Sequence, residues 1–475
     1  MKDFDLIVLG GGSAGYAAAS TAVKLGLRVA VVEGGEQVGG LCILRGCMPS
    51  KALIESANRN IAVLGSGEFG VEVPAGSVGV LVEKIHARKE RMVAEFAQYR
   101  AKQLESGPFE FIRGWAGFVD PHTIEVRLSD GSTRQWTSET FLLATGSRLK
   151  KVAVPGLAEC GYWDSDAVLS QVSIPRSVII LGGGATGVEF AHYYAALGAQ
   201  VTIVQRSEQL LKEMDADVAH AVTDSFRKRD LRVYCQTELV RVEPANGSLK
   251  RVVFTQKGDT RAVEAEQIVY ALGREPQIAG LNLENAGLQT TRGYLSVGST
   301  QQTAAPHIFA AGDVAGPHEI VHIAIQQGEL AARNAARLIK RENGGGAARC
   351  LDEIDYRLRL FVVFCEPEIA VTGVTERELQ EAGISYCVAT YPFDDHGKSM
   401  LMGATEGFVK LLASEETGEI LGGAVVGPHA SDLIHEIVVA MRFRATARQL
   451  MEIPHYHPTL SEIWTYPAEE LAEGM

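Results

Sequence analysis

Two cysteines near the start of the chain, Cys42 and Cys47, combine a residue type and a spacing that could do chemistry. A disulfide needs Cα atoms within about 7 Å, whereas residues five apart are not neighbours on a regular helix. Gly46 and Pro49 therefore indicate an irregular backbone that could bring the sulfurs together. Redox exchange and metal binding both stay open. Metal binding is the rival, although neither cysteine has a second pair or a histidine at ligand spacing.

Composition and charge limit the possible functions. The chain has 475 residues, 46% of them apolar and 22% charged, which predicts roughly two to four globular domains. The net charge of −13 argues against nucleic acid as a partner. No apolar run approaches the ~18 residues of a membrane helix, and the acidic start does not resemble a secretory signal. Seven scattered cysteines make no disulfide framework. The expectation is a cytoplasmic protein without membrane or nucleic-acid partners.

The cysteine pair follows a segment that predicts a dinucleotide-binding fold. The strand Leu6–Leu9 opens into a glycine-rich turn, a helix follows, and a second strand ends at Glu33. In such a unit Gly10 permits a tight turn, Gly12 lets the backbone approach a pyrophosphate, and Gly15 lets the helix pack on the strand. The phosphates would lie at the positive end of the helix dipole. Glu33 would accept hydrogen bonds from an adenosine ribose.

The same unit recurs later in the chain with one constant offset and no gap. Two such units predict two dinucleotide sites, which usually hold a flavin and a nicotinamide dinucleotide that exchange a hydride. The matching positions of the second unit are Gly182, Gly184, Gly187 and Gln205.

The second unit departs from the first at the position that selects the ribose. Gln205 is neutral and Arg206 follows it, where a site selective for NAD has a carboxylate. The missing negative charge removes repulsion of a ribose 2′-phosphate, and Arg206 could pair with that phosphate. Gly187, however, is more usual for NAD, and Gln205 can still bind a hydroxyl. The sequence slightly favours NADP(H).

Further motifs run through nearly the whole chain and carry a family resemblance. They are Gly39–Lys51 around the cysteines, Ala144–Gly146, Gly273–Pro276, Ile308–Asp313 and His457–Glu462. With them the chain resembles the pyridine nucleotide–disulfide oxidoreductases. Dihydrolipoamide dehydrogenase has the most similar pattern, and mercuric and glutathione reductases are relatives. The resemblance implies an α/β fold with two Rossmann-like domains, for FAD and NAD(P), and a C-terminal α+β dimerisation domain.

The resemblance also implies catalytic roles. Cys47 would lie against the flavin as a thiolate, and Cys42 would be the interchange thiol that forms a mixed disulfide with the substrate. His457 would move the thiol proton and Glu462 would orient the imidazole. In the family this pair comes from the other subunit, so the resemblance implies a homodimer with an active site shared across the interface.

Other residues would hold the cofactors. Lys51 and Glu189 match the family's ion pair beside the flavin N5. Asp313 would hold the flavin ribityl chain, and a helix starting near His322 would point its positive end at the flavin pyrimidine ring. No residue is assigned to a metal. The remaining cofactor-binding candidates are Gly40, Thr145, Gly146, Gly273, Arg274 and Gly312.

The repeat and the motifs also predict the domain layout. An FAD domain at 1–150 and 277–345 is interrupted by an NAD(P) domain at 151–276, and the dimerisation domain follows at 346–475. The composition of residues 343–348 predicts a flexible connection. Other predicted elements are an amphipathic, core-packing helix at Val82–Ser106, strands at Phe361–Phe364 and Gly407–Leu412, and a helix at Asp432–Met441.

The sequence indicates the substrate less directly than it indicates the cofactors. Mercuric reductase is disfavoured because the chain shows neither a C-terminal cysteine pair nor an N-terminal metal-binding domain and keeps His457. Leu41 and Leu44 replace the family's usual Thr and Asn and should raise thiol pKa values, while Arg45 could lower one. A lipoamide dehydrogenase activity is the first expectation. The alternatives are reduction of another small disulfide, a persulfide or a metal ion, a flavin oxidase, and a flavoprotein subunit of a lipoyl-bearing complex.

Overall fold

The computed structural model describes residues 2–74, 76–342 and 350–474. The flexible connection predicted at 343–348 lies outside them. The chain divides into two compact units. The first unit is formed by Met1–Ala52, Ala87–Lys151 and Gly273–Asp355, and the second by Leu53–His86, Val152–Leu272 and Tyr356–Met475.

The described chain is built from both α-helices and β-strands. The helices are α1 (Ser13–Lys24), α2 (Gly40–Arg45), α3 (Cys47–Leu64), α4 (Val82–Glu105), α5 (Leu157–Cys160), α6 (Ser165–Ser170), α7 (Ala185–Ala196), α8 (Ala216–Lys228), α9 (Val321–Glu342), α10 (Glu376–Ala382), α11 (Gly397–Leu401), α12 (Ala430–Arg442), α13 (Ala447–Met451) and α14 (Thr465–Gly474). The strands are β1 (Phe4–Leu9), β2 (Val29–Glu33), β3 (Glu110–Asp120), β4 (Thr123–Leu128), β5 (Thr133–Leu143), β6 (Ser147–Leu149), β7 (Ser177–Leu181), β8 (Gln200–Val204), β9 (Arg232–Tyr234), β10 (Thr237–Pro244), β11 (Lys250–Gln256), β12 (Asp259–Ala265), β13 (Gln267–Tyr270), β14 (Arg274–Pro276), β15 (Thr290–Thr291), β16 (Tyr294–Leu295), β17 (Ile308–Ala310), β18 (Leu360–Val363), β19 (Glu368–Gly373), β20 (Tyr386–Pro392), β21 (Phe408–Ser414) and β22 (Ile420–Gly427).

In the first unit a parallel sheet carries the N-terminal strands. β1 lies at its centre between β2 and β5, β3 pairs with β2, and β17 pairs with β5. Leu9 is in register with both Val32 and Leu143, so the carboxyl ends of three strands meet at one edge. The long strands β3 and β5 also join β4 in an antiparallel meander. Open parallel sheets bind their ligands at the carboxyl edge.

The second unit contains a second parallel sheet and two antiparallel ones. The parallel sheet has the order β13-β7-β8-β9, and β10, β11 and β12 form an antiparallel meander. The C-terminal segment forms a five-stranded antiparallel sheet in the order β18-β19-β22-β21-β20, against which α12 packs. Trp464 and Phe393 are fully buried in the core of this segment. The strands and the helix predicted there are present as β18, β21 and α12, with small shifts of their ends.

The two βαβ units repeat in space as they do in sequence. Gly10 and Gly182 adopt nearly the same backbone conformation, with φ of 108° and 104°. A Cβ on Gly15 would come within 1.8 Å of the Gly10 carbonyl oxygen, and one on Gly187 within 2.0 Å of the Gly182 carbonyl oxygen. Both helices therefore start in direct contact with the preceding strand end, where no side chain fits.

The long predicted helix is α4, and its core-packing role holds in part. Leu104 is fully buried, but Phe96 is 41% exposed, so the expected core packing does not extend to every large apolar side chain of the helix. An amphipathic pattern predicts which face of a helix is apolar. It does not show how much of that face the neighbouring elements cover. Among the described residues, no helix combines the length and apolarity that a membrane crossing requires.

A buried lysine joins separate parts of the second unit. Lys410 on β21 is 1% exposed, and its ammonium donates hydrogen bonds to Asp215 (2.9 Å), Asp217 (2.8 Å) and Glu376 (2.9 Å). The two aspartates lie at the start of α8, and Glu376 is the first residue of α10. The carboxylates converge as closely as metal ligands would, and the Lys410 ammonium lies among them as a hydrogen-bonded cation.

We expect Lys410→Met to lower the free energy of unfolding by about 3 kcal/mol, because it leaves clustered carboxylates without their cation. Lys228→Met is the control, because Lys228 is exposed and forms a surface pair with Glu406 at 3.1 Å. Loss of such a pair should cost less than about 1 kcal/mol. Urea unfolding followed by circular dichroism measures both values. Equal stability of the two variants would contradict this account of Lys410.

Candidate active site

The first βαβ unit anchors Glu33 beside the glycine turn. The Glu33 carboxylate accepts hydrogen bonds from the backbone N–H groups of Gly11 (2.9 Å) and Gly35 (2.7 Å). Each oxygen keeps a lone pair for a further donor, such as a ribose hydroxyl. Gly12 caps α1, and a Cβ on Gly40 would come within 2.8 Å of the Gly12 Cα. The helix start is therefore lined by bare backbone, and together with Glu33 it fits a dinucleotide such as FAD.

A second part of this cofactor site is built around Asp313. The Ser147 hydroxyl donates to the Asp313 carboxylate (2.6 Å) and accepts from Arg274 Nε (2.8 Å). The Thr145 hydroxyl donates to the Gln277 carbonyl oxygen at 2.6 Å. The structure thus joins Arg274 and Asp313, which the sequence named separately, through Ser147. Sequence reasoning missed Ser147, although it directly follows one of the predicted motifs.

The glycines of this region adopt backbone conformations that favour glycine. Their φ values are 70° at Gly146, 103° at Gly273 and 77° at Gly312. α9 begins one residue before His322, as the resemblance implied. Gln327 on α9 is fully buried, and its Oε1 accepts the backbone N–H of Gly312 at 2.7 Å. This bond, which no motif predicted, ties the turn after β17 to the helix.

In the second βαβ unit Gln205 makes the contact that Glu33 makes in the first. Its Oε1 accepts the backbone N–H of Gly183 at 3.0 Å, and its Nε2 donates to the Gln209 carbonyl oxygen at 3.3 Å. Gln205 is only 8% exposed, so its amide is fixed at the end of β8. Arg206 is exposed at the next position. Gly184 caps α7 as Gly12 caps α1.

The two cysteines lie on successive helices of the first unit. Cys42 lies on α2, Gly46 interrupts the helix, and α3 begins at Cys47. A Cβ on Gly46 would come within 3.0 Å of the Leu41 carbonyl oxygen and 3.1 Å of the Cys42 Cα. A side chain at the break would therefore fit only if the neighbouring backbone shifted by a few tenths of an ångström. The break brings the free thiols of Cys42 and Cys47 into a side-chain hydrogen bond.

The two thiols differ in their electrostatic surroundings. The hydrogen bond with Cys47 and burial raise the pKa of Cys42, and the positive charge of Lys51 opposes both effects. Cys47 is the first residue of an 18-residue helix, where the dipole and free N–H groups favour a thiolate. The first negative charge of the pair is thus favoured on Cys47. Arg45, whose effect the sequence left open, is exposed.

The second unit brings His457 and Glu462 together. His457 Nδ1 lies 3.1 Å and 3.0 Å from the two Glu462 carboxylate oxygens. The His457 side chain is 77% exposed, whereas that of Glu462 is nearly buried. The carboxylate therefore orients the ring through Nδ1 and leaves Nε2 as the proton acceptor.

Sequence reasoning missed a second histidine at this carboxylate. His396 is fully buried, with Nε2 3.4 Å from Glu462 Oε1 and Nδ1 2.8 Å from Ser399 Oγ. Burial lowers the pKa of His396, and Glu462 opposes that shift. A neutral His396 therefore faces Glu462 from the buried side. No motif in the sequence marks it.

Glu189 and Lys51 belong to different units, and each is described on its own. Glu189 on α7 is buried, and its Oε1 accepts the backbone N–H of Phe364 at 3.1 Å. Lys51 lies about one turn after Cys47 on α3. The ion pair between them remains a prediction.

Comparison with known proteins identifies a family. The model described as pyridine nucleotide–disulphide oxidoreductase matches residues 4–328, and the dimerisation-domain model of the same description matches residues 361–468. Dihydrolipoyl dehydrogenase from Thermus scotoductus is 34% identical over 474 residues, which cover 99% of this chain and 98% of the relative. Dihydrolipoyl dehydrogenase from Bacillus subtilis is 31% identical over 459 residues, which cover 96% of each chain.

Solved structures have the same architecture. LpdA from Mycobacterium tuberculosis matches with a TM-score of 0.85 and 29% identity, covering 98% of this chain and 99% of that one. The HOCl-induced flavoprotein disulfide reductase RclA from Escherichia coli matches with a TM-score of 0.81 and 25% identity, covering 98% and 99%.

These similarities extend over both units. They confirm the predicted α/β fold class and the predicted cofactors FAD and NAD(P). The dimerisation-domain match supports a homodimer. The chain belongs to the pyridine nucleotide–disulphide oxidoreductase family, and it is an FAD- and NAD(P)-dependent, dihydrolipoyl dehydrogenase-like disulfide oxidoreductase.

Proposed function

We propose that Cys42 and Cys47 are the redox pair through which this enzyme exchanges electrons with a small dithiol or disulfide substrate. The observation that carries the proposal is the hydrogen bond between the two thiols across the break at Gly46. Thiols in contact can close to a disulfide and reopen by exchange. Bound FAD supplies hydride exchange with the nicotinamide and electron transfer to the cysteine pair.

In the direction of disulfide reduction, His457 first takes the proton of Cys42. The Cys42 thiolate attacks one substrate sulfur, the substrate S–S bond breaks, and the departing thiolate receives its proton from His457. Glu462 stabilises the imidazolium between these transfers. The Cys47 thiolate then attacks Cys42, the mixed disulfide breaks, and the second substrate thiolate leaves and takes a proton from solvent. The pair ends as a disulfide, and dithiol oxidation reverses each step.

The proton-transfer pair is proposed to act across a dimer. Phe443 and Tyr456 are each 80% exposed and lie in the segment that the dimerisation-domain model matches. Large exposed apolar side chains mark interaction surfaces. We place His457 of one chain beside the cysteine pair of its partner.

We also propose a cytoplasmic location and three domains. Their boundaries are 1–150 with 277–345, 151–276, and 346–475.

Dihydrolipoamide is the first substrate to test, because relatives that align with nearly the whole of this chain are dihydrolipoyl dehydrogenases. We expect turnover of dihydrolipoamide with NAD(P)⁺ and of lipoamide with NAD(P)H. Cys42→Ser should reduce turnover at least about a hundredfold, since the nucleophile is lost. Reduction of the flavin by NAD(P)H should persist in that variant. The control is Cys350→Ser, because Cys350 is exposed and lies outside the motif.

Two outcomes would change the account. Unimpaired turnover in Cys42→Ser would contradict the role of the pair. Flavin reduction without lipoamide turnover in the unmodified enzyme would favour the second candidate function, reduction of another disulfide. The match to RclA, which is described as a flavoprotein disulfide reductase, supports that candidate.

NADP(H) is the proposed coenzyme, because the buried Gln205 puts a neutral amide at the ribose end of β8. Gln205→Glu would place a carboxylate there and repel a 2′-phosphate. We expect the ratio of kcat/KM for NADPH to that for NADH to fall by on the order of tenfold. Gln200→Glu is the control, because it adds the same charge at the exposed other end of the same strand. An equal fall of this ratio in both variants would contradict a role of Gln205 in selecting the coenzyme.

A further inference from the structure

An arginine of the first unit is shielded from solvent without a hydrogen-bond partner at two of its nitrogens. It is Arg100 on α4, and the atoms are Nε and Nη1. No described residue supplies a hydrogen-bond partner to either nitrogen. The guanidinium carbon lies 4.1 Å from the centre of the Tyr16 ring. Arginine keeps its charge in proteins, so the structure holds a half-buried cation with unused N–H groups at Nε and Nη1.

Such an arrangement favours an anion. Burial lowers the pKa of Arg100, with Tyr16, Tyr99 and Cys42 opposing the shift. A ring face stabilises a cation only in part, whereas an unpaired buried charge is strongly unfavourable. Charge-assisted hydrogen bonds to a carboxylate would satisfy the free N–H groups and neutralise the charge. Tyr16 meanwhile holds the guanidinium plane in place.

Arg100 lies near the thiol that faces the substrate in the proposed mechanism. Its charge and that of Cys42 act on each other. Tyr16 lies on α1 one turn after Gly12, in the same unit as the cysteine pair. Arg45, by contrast, is exposed. Lys51 also acts on Cys42, but Arg100 is the cation whose shielded Nε and Nη1 have no partner among the described residues. An anionic group entering beside Cys42 would therefore find free N–H donors at Arg100.

We propose that Arg100, held against Tyr16, binds a carboxylate of the substrate beside Cys42, so that the enzyme prefers acidic small disulfides and dithiols to neutral ones. The inference rests on the proposed function, because it takes Cys42 as the thiol that exchanges with substrate. A phosphate of FAD could offer the same anionic chemistry, and the experiment separates the two sources by measuring FAD retention.

The first test uses iodoacetate and iodoacetamide, two alkylating reagents that differ in one carboxylate. The NAD(P)H-reduced holoenzyme is treated with each, and labelling of Cys42 is followed by mass spectrometry. Rates are expressed as the ratio of iodoacetate to iodoacetamide, relative to the same ratio for free cysteine. We expect a ratio above that of free cysteine, and a fall of about tenfold in Arg100→Met.

Matched variants separate charge from fold. Arg100→Lys keeps the charge and should retain most of the preference for iodoacetate. Arg91→Met removes an exposed arginine of the same helix and should leave the ratio unchanged. A ratio in the unmodified enzyme at or below that of free cysteine overturns the proposal without any variant. So does an unchanged ratio in Arg100→Met.

The second test compares lipoate with lipoamide, which differ by a carboxylate and an amide. Arg100→Met should lower kcat/KM for lipoate about tenfold and leave that for lipoamide within about twofold. Weakened FAD binding in Arg100→Met with an unchanged alkylation ratio would assign Arg100 to the flavin phosphates and overturn the proposal. If the unmodified enzyme reduces neither compound, the lipoamide substrate of the proposed function is wrong, while the alkylation ratio still decides the role of Arg100.

Discussion

The contact between a strand end and the start of the next helix is the constraint on which the rest of this structure depends. In both βαβ units, a glycine on the helix lies so close to the carbonyl oxygen of the glycine after the strand that no Cβ would fit there. The helix start is thereby held at the carboxyl edge of the sheet, with its N–H groups bare. The side chain that closes the second strand, Glu33 or Gln205, is then fixed by a backbone N–H of the same turn. The proposed positions of the cofactors and the proposed selection of the ribose both rest on this packing.

The redox pair uses a second glycine constraint. Gly46 separates the two helices at a point where a Cβ would lie only 3.0 Å from the Leu41 carbonyl oxygen and 3.1 Å from the Cys42 Cα. The interruption does two things at once. It brings two sulfurs five residues apart into contact, and it makes Cys47 the first residue of a long helix. The helix start favours negative charge on Cys47, while the hydrogen bond and burial disfavour it on Cys42. Such an asymmetric pair suits a nucleophile and a resolving thiolate.

Sequence reasoning reached those features whose cause is local. The two glycine turns, the helix that begins next to His322 and the closeness of His457 to Glu462 each depend on a few neighbouring residues. It missed features formed by residues distant in sequence. Ser147 joins Arg274 to Asp313, and Lys410 gathers carboxylates from two helices. His396 reaches Glu462 from another element. For α4 the pattern gave the helix but neither the exposure of Phe96 nor the position of Arg100 against Tyr16.

The central claim is that electrons from the nicotinamide coenzyme reach the Cys42–Cys47 pair. The most direct measurement is anaerobic reduction of the air-oxidised holoenzyme with one equivalent of NADPH or NADH, followed by alkylation and mass spectrometry of each cysteine. The account predicts that Cys42 and Cys47 are unlabelled before reduction and that both become reactive afterwards, while labelling of the other cysteines stays constant. A flavin that is reduced by the coenzyme while both cysteines remain unlabelled would contradict it.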